Sequence, residues 1–139
     1  MSFNKGRGDV QYVRSKFKKF SLAEVVANVS ATFLNLIDLP PDAILTRGYL
    51  GITQVFNSTS SDAITVGDGT TGNRYLTSTS VQALGLTALV PTGVILTTKT
   101  LQKVGITWTS GGGTPTTGQG WLFVEYIIPG QGDEFFLLP

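Results

Sequence analysis

The chain of 139 residues contains neither cysteine nor histidine. Without cysteine there is no disulfide framework, no thiol nucleophile and no thiolate metal site. Without histidine the commonest neutral-pH base and metal ligand is missing, so Ser–His and Cys–His catalytic pairs cannot be assembled. The chain is read as having no Walker loop, no dinucleotide fingerprint and no Cys/His metal spacing either. Charged residues make up only 14% of the chain. No apolar run approaches the roughly 18 residues of a membrane helix, and the N-terminus lacks the apolar stretch of a secretory signal. Glu, Lys and Ala are scarce while Gly, Thr and Val are abundant, a bias toward strands and turns.

The net charge of +1 conceals an asymmetry. Residues 1–20 set six basic side chains against Asp9, a net +5, whereas residues 21–139 set four against eight acids, a net −4. The reading is a basic arm (1–20), a folded body (21–129) and a tail (130–139). Lys5, Arg7, Arg14, Lys16, Lys18 and Lys19 are interleaved with Tyr12, Phe17 and Phe20. The arm reads either as a solvated terminus or as an extended segment ordered by a partner, and the aromatics, which a purely solvating terminus does not need, favour the partner. The tail, GQGDEFFLLP, follows an acidic lead with Phe135, Phe136 and Leu137, a second expected contact.

Between the ends the chain reads as short strands separated by turns. Residues 60–76 hold the centre: Ile64 and Val66 share a face of a short strand that breaks at Gly67-Asp68-Gly69. Residues 22–37 alternate, with Val25, Ala27, Val29, Ala31, Phe33 and Ile37 on one face, and are read as a strand. A helix capped by Ser21 is the competing reading. Pro40-Pro41-Asp42 turns the chain into a second strand over 43–56, where Gly48 and Gly51 suggest a bend or bulge. Residues 80–85 suit one helical turn, and 87–90 and 94–98 are short strands.

Residues 101–109 point Val104, Ile106 and Trp108 inward, and 110–120 form a long Gly/Thr/Pro loop, mobile or used for contact. In WLFVEYII, residues 121–128, Leu122, Val124, Tyr126 and Ile128 line one face. Trp121, Phe123 and Ile127 crowd the other, making it an expected contact surface for a partner or a second copy. Seven or eight such strands indicate an all-β, antiparallel sandwich or barrel.

Chemistry-bearing groups are thin. Asp62 and Asp68 are the only carboxylates near a compact loop, and turn capping explains them better than a glycosidase pair or a Ca²⁺ site. Trp108, Trp121 and Tyr126 suit a sugar-stacking platform, but core or interface packing is the simpler reading of aromatics in alternating strands. No catalytic, cofactor or metal residue is assigned.

Phe56-Asn57, Ser61-Asp62-x-Ile64-x-Val66-Gly67-Asp68-Gly69, Asn73-Arg74-Tyr75-Leu76, Ile106-x-Trp108-Thr109 and Gly120-Trp121-Leu122-Phe123-Val124-Glu125-Tyr126 carry a resemblance. Over residues 22–128 the pattern resembles capsid cement (decoration) proteins of podovirus-type tailed bacteriophages, that of a Bordetella phage in particular. The resemblance implies a jelly-roll sandwich on the outside of an icosahedral shell, bridging major capsid proteins, often as a homodimer. It implies no enzyme activity, cofactor or membrane, and gives no reason to expect nucleic acid as a partner. The rivals are a carbohydrate-binding module of a phage tail or fibre, and a capsid subunit whose basic arm faces the genome.

Overall fold

In a computed structural model, described for residues 11–27, 31–91 and 101–130, eight strands and one short helix follow one another along the chain. They are β1 (Arg14–Ser21), α1 (Leu22–Ala27), β2 (Phe33–Leu39), β3 (Ile44–Gln54), β4 (Asp62–Gly67), β5 (Leu76–Ser80), β6 (Gly85–Ala88), β7 (Gln102–Ser110) and β8 (Gln119–Ile127). They form two four-stranded sheets, ordered β1-β8-β3-β6 and β2-β7-β4-β5, and every pairing is antiparallel. Strands alternate between the sheets from β1 to β4 and again from β5 to β8, β4 and β5 being neighbours in one sheet, and β7 and β8 return to the centre of each. This is the jelly-roll arrangement of eight strands in a double sheet.

Alternation builds the core. Val104, Ile106 and Trp108 from β7 meet Leu122, Val124 and Tyr126 from β8, with Ile64 and Val66 of β4 and Leu50 of β3, all buried. A fully buried aliphatic side chain contributes roughly 1.5–3 kcal/mol, and these central strands supply much of that burial. The short strand expected to carry Ile64 and Val66 and to break at Gly67 is β4.

Several local expectations are corrected. Residues 22–27 are helical, not extended: the Glu24 amide donates to Ser21 Oγ at 3.5 Å, a cap on the first turn. Leu22, Val25 and Val26 also satisfy a helical spacing, and they pack against the core from one side of α1. The strand read over 22–37 begins only at Phe33, residues 28–30 lying outside those described.

Residues 80–85 do not form a helical turn. The fully buried Val81 instead bridges strands, its amide donating to Asp62 O (3.0 Å) and its carbonyl accepting from the Phe56 amide (3.0 Å). Gly85 then opens β6. The strand read at 87–90 is thus shifted to Gly85–Ala88, and the one at 94–98 lies outside the described residues.

Finally, residues 14–20 of the expected arm belong to the sandwich, as the edge strand β1 paired with β8 along its whole length. The loop after β7 is pinned rather than loose. Asn57 Oδ1 accepts from the amides of Thr116 (2.7 Å) and Thr117 (3.0 Å), and Gly112 O accepts from the Thr59 amide (3.1 Å).

Candidate functional site

The solvent face of the β1-β8-β3-β6 sheet carries the candidate site. Register places side chains there in cross-strand rows. One row runs Lys19, Trp121, Gly51, Leu86, and the next runs Phe17, Phe123, Tyr49, Ala88. A third sets Ser15 beside Glu125 and Arg47, the last two forming an ion pair. Phe17 and Trp121 have ring centroids 5.5 Å apart, and Tyr49 stacks on Phe123 at 6.4 Å and 23°. Such pairs contribute about 0.5–1.5 kcal/mol beyond area burial. Phe17 nevertheless remains 53% exposed and Leu86 61% exposed, so the stripe reaches solvent at both margins.

Gly51 makes the arrangement possible. A Cβ there would lie 2.3–2.8 Å from Trp121 Cε2, Cζ2 and Nε1. The indole therefore rests against bare backbone, and the expected bend at this glycine is a seat for an aromatic ring. The bulges in β3 lie on either side, at Leu45/Arg47 and Ile52/Gln54. Beyond Trp121 the stripe passes into an open groove of about 520 Å³ edged by Lys19, Ser21, Glu24, Thr53 and Gln119.

The structure brings Phe17, Lys19, Trp121 and Phe123 together on this face. Lys16 and Lys18 alternate to the other side of β1, where both are exposed and Lys16 Nζ donates to Asp38 O at 2.6 Å. Tyr12 and Arg14 are half-buried where β1 begins. Phe20, expected at a partner contact, is only 2% exposed: its ring packs over Gly120 and belongs to the core. Lys5, Arg7, Phe135, Phe136 and Leu137 lie outside the described residues. Tyr49 and Leu86 were missed as site residues. Tyr49 was legible only as one of several apolar residues on a two-sided strand, and nothing local marked Leu86.

The sugar platform is not assembled. Trp108 and Tyr126 are buried at 6% and 5% exposure, in the core, leaving Trp121 alone on the surface. Trp108 Nε1 instead donates to Asp62 Oδ1 at 3.0 Å. Asp62, 1% exposed, also accepts through Oδ2 from the Ser58 amide (2.9 Å), Ser58 Oγ (2.6 Å) and Gln82 Nε2 (3.1 Å). Burial works to raise its pKa, but the hydrogen bonds from Ser58, Trp108 and Gln82 outweigh it and hold the carboxyl below its ordinary 3.8. Oδ1 is committed to Trp108 of β7 and Oδ2 to the loop residues Ser58 and Gln82, which makes Asp62 a structural hub.

Asp68, at the far end of β4, closes the next turn. Its Oδ1 accepts from the amides of Thr70 (2.8 Å) and Thr71 (2.6 Å), and its Oδ2 pairs with Arg74 Nε. Burial, then the Asp68 charge, push the neighbouring Tyr75 phenol upward. The expectation that no dinucleotide fingerprint occurs is corrected in one respect: Gly67-Asp68-Gly69-Thr70-Thr71-Gly72 has the G-x-G-x-x-G spacing of such a loop. Its context excludes that role: the next element is β5, not a helix, and two of its amides already hold the Asp68 carboxylate. Among the described residues, no cluster of three His, Cys, Asp or Glu side chains is placed to hold a metal, and no helix is long and apolar enough to cross a membrane.

No protein-family model and no curated protein sequence matches this chain. Solved structures do. A chain of the cyanophage Pam1 capsid asymmetric unit superposes with a TM-score of 0.68 at 18% identity, over 86% of this chain and 87% of that one. A chain of the Ralstonia phage GP4 capsid gives 0.65 at 18% identity, over 89% and 87%. One from the acid-stable capsid of the Helicobacter pylori bacteriophage KHP30 gives 0.62 at 19% identity, over 86% and 90%. The shared feature is the fold. It extends over nearly the whole of each chain, so the sandwich is matched as a unit.

Proposed function

We propose that this chain is a structural protein of a phage virion, fastened to the outside of an icosahedral capsid and reinforcing contacts between major capsid subunits. The observation that carries the reading is the aromatic stripe of Phe17, Trp121, Phe123 and Tyr49 on one outer sheet face. An isolated soluble sandwich has no use for such a face, and a patch rimmed by polar groups marks an interaction surface. The likeness in fold to chains of three phage capsids, over 86–89% of this chain, supports the setting.

Mechanically, a rigid double sheet whose one face adheres to a shell adds contact free energy that outward pressure must break. The major capsid protein is the proposed partner, with a homodimer as the proposed oligomeric state and the virion exterior as the proposed location. No nucleic acid, cofactor or catalytic step enters this reading. A carbohydrate-binding module fits less well, since Trp108 and Tyr126 are core residues.

The test adds the purified chain to undecorated, expanded shells of its phage and measures co-sedimentation and the shells' heat resistance. Saturable binding with raised heat resistance is expected, with no glycan binding on an array. Shells that neither bind nor gain resistance, or a glycan signal abolished by Trp121→Ala, would overturn the reading.

A further inference from the structure

We infer that the outer edge of β1, which no described strand pairs with, is a strand-addition site for an extended acidic segment of a partner protein; the identification of that partner with a shell subunit rests on the capsid reading above. Of the four sheet edges, β5 has five residues and β6 four, and β2 is bulged between Asn35 and Ile37. Among the described residues β1 alone is a long and regular edge, with eight unbroken pairs to β8. The Leu22 amide donates to Gly118 O at 2.9 Å and continues that register. With period two, residues 14, 16, 18 and 20 bond toward β8, while the backbone groups of Ser15, Phe17 and Lys19 face the open side. The far side of the sheet agrees: the Leu89 amide donates to Gly48 O at 2.8 Å, which turns Tyr49 and Gly51 toward β8 and β8's odd-numbered residues toward β3. Residues 15–19 are all exposed.

The chemistry of this edge selects its occupant. Lys16, Lys18 and Lys19 form no ion pair among the described residues, where the two pairs found are Arg47–Glu125 and Arg74–Asp68. A second copy added antiparallel about Phe17 would set Lys16 opposite Lys18 twice, and directly opposed like charges destabilise a sheet. An acidic strand reverses the sign of those contacts. Lysines also guard exposed edges against aggregation. A guarded edge, however, does not need three of them within four positions around a phenylalanine left 53% exposed. The matching segment carries acids opposite Lys16 and Lys18 and an apolar residue opposite Phe17, with main-chain bonds supplying affinity and side chains the choice of partner.

Hydrogen exchange of the full chain, free and bound to undecorated shells, tests this. Bound chain is expected to gain protection at the amides of Ser15, Phe17 and Lys19 and not at those already bonded to β8. Ser15→Pro removes an outward N–H and no ladder bond, a position where an edge strand tolerates proline. It should melt within a few degrees of wild type and bind at least tenfold more weakly. Lys16→Gln/Lys18→Gln/Lys19→Gln should also weaken binding, most at low salt. A folded Ser15→Pro that binds like wild type overturns the proposal. Should that variant not fold, the exchange pattern of the wild type decides, and bound chain with those three amides unprotected overturns it. Protection of the same amides in dilute free chain overturns the foreign occupant in favour of this chain's own acidic and apolar residues 131–139. Wild type that ignores shells refutes the capsid reading, and the edge is then probed with a (Glu-Val)₄ peptide. Protection at the three amides sustains the edge site, and no protection overturns it.

Discussion

The indole of Trp121 lies against the backbone of Gly51, so close that a methyl group on Gly51 would sit 2.3 Å from the ring. That contact joins β8 to β3 across the outer face and holds the indole where Phe17 meets it from β1. Gly51→Val is expected to lever the ring off the sheet, costing about 1–3 kcal/mol as overpacking does. Trp121 emission should shift to the red and shell binding should fall. A variant with native stability and unshifted emission would show that the indole has another seat.

Phe17 and Phe20 sit three residues apart on one strand with opposite roles, at 53% and 2% exposure. Phe20→Ala should destabilise by about 3–5 kcal/mol. Phe17→Ala should stay within about 1 kcal/mol of wild type, since surface changes usually do, yet weaken shell binding. Urea melts and co-sedimentation on the pair of variants separate the two effects.

Asp62 gives a pH dependence of definite sign. Its folded pKa lies below the unfolded value, so its contribution is fully present above about pH 4 and is lost as pH falls through the lower folded value. In Asp62→Asn an amide NH₂ faces hydrogen-bond donors, a loss of about 1–3 kcal/mol at neutral pH. Thermal melts from pH 7 to pH 2.5 should show wild type and variant converging in acid. Parallel curves would assign the acid sensitivity to other groups.

The two ion pairs should respond unequally. Arg47 is 62% exposed in its side chain, so Arg47→Met is expected to change stability by less than about 1 kcal/mol. Arg74 and Asp68 are 18% and 9% exposed, and Arg74→Met leaves Asp68 largely out of solvent with its charge unmatched. The larger loss should come from Arg74, and equal losses in denaturant melts would refute the distinction.

The sequence by itself determined the class of fold. Residues such as Val104, Ile106 and Trp108, or Leu122, Val124 and Tyr126, alternate because a strand with one buried face must, and that period is written locally. The break at Gly67-Asp68 was equally local, since the Asp68 side chain bonds amides two and three residues on. That Trp121 and Phe123 lie on the outer face was legible because they share a strand face with Glu125, away from the core set.

Tertiary structure decided the rest. Leu22, Val25 and Val26 satisfy both periods, and what selects helix is the Ser21 cap together with the core surface that α1 packs against. The basic segment around Arg14 looked like a free arm because its neighbours in sequence offer no partner. Its pairing with β8, more than a hundred residues away, makes it a strand. Phe20 is buried by Gly120 of that distant strand, and Trp121 is seated by Gly51 of another. Both facts are set by register, and register follows from burial summed over whole sheets rather than from any one stretch of chain.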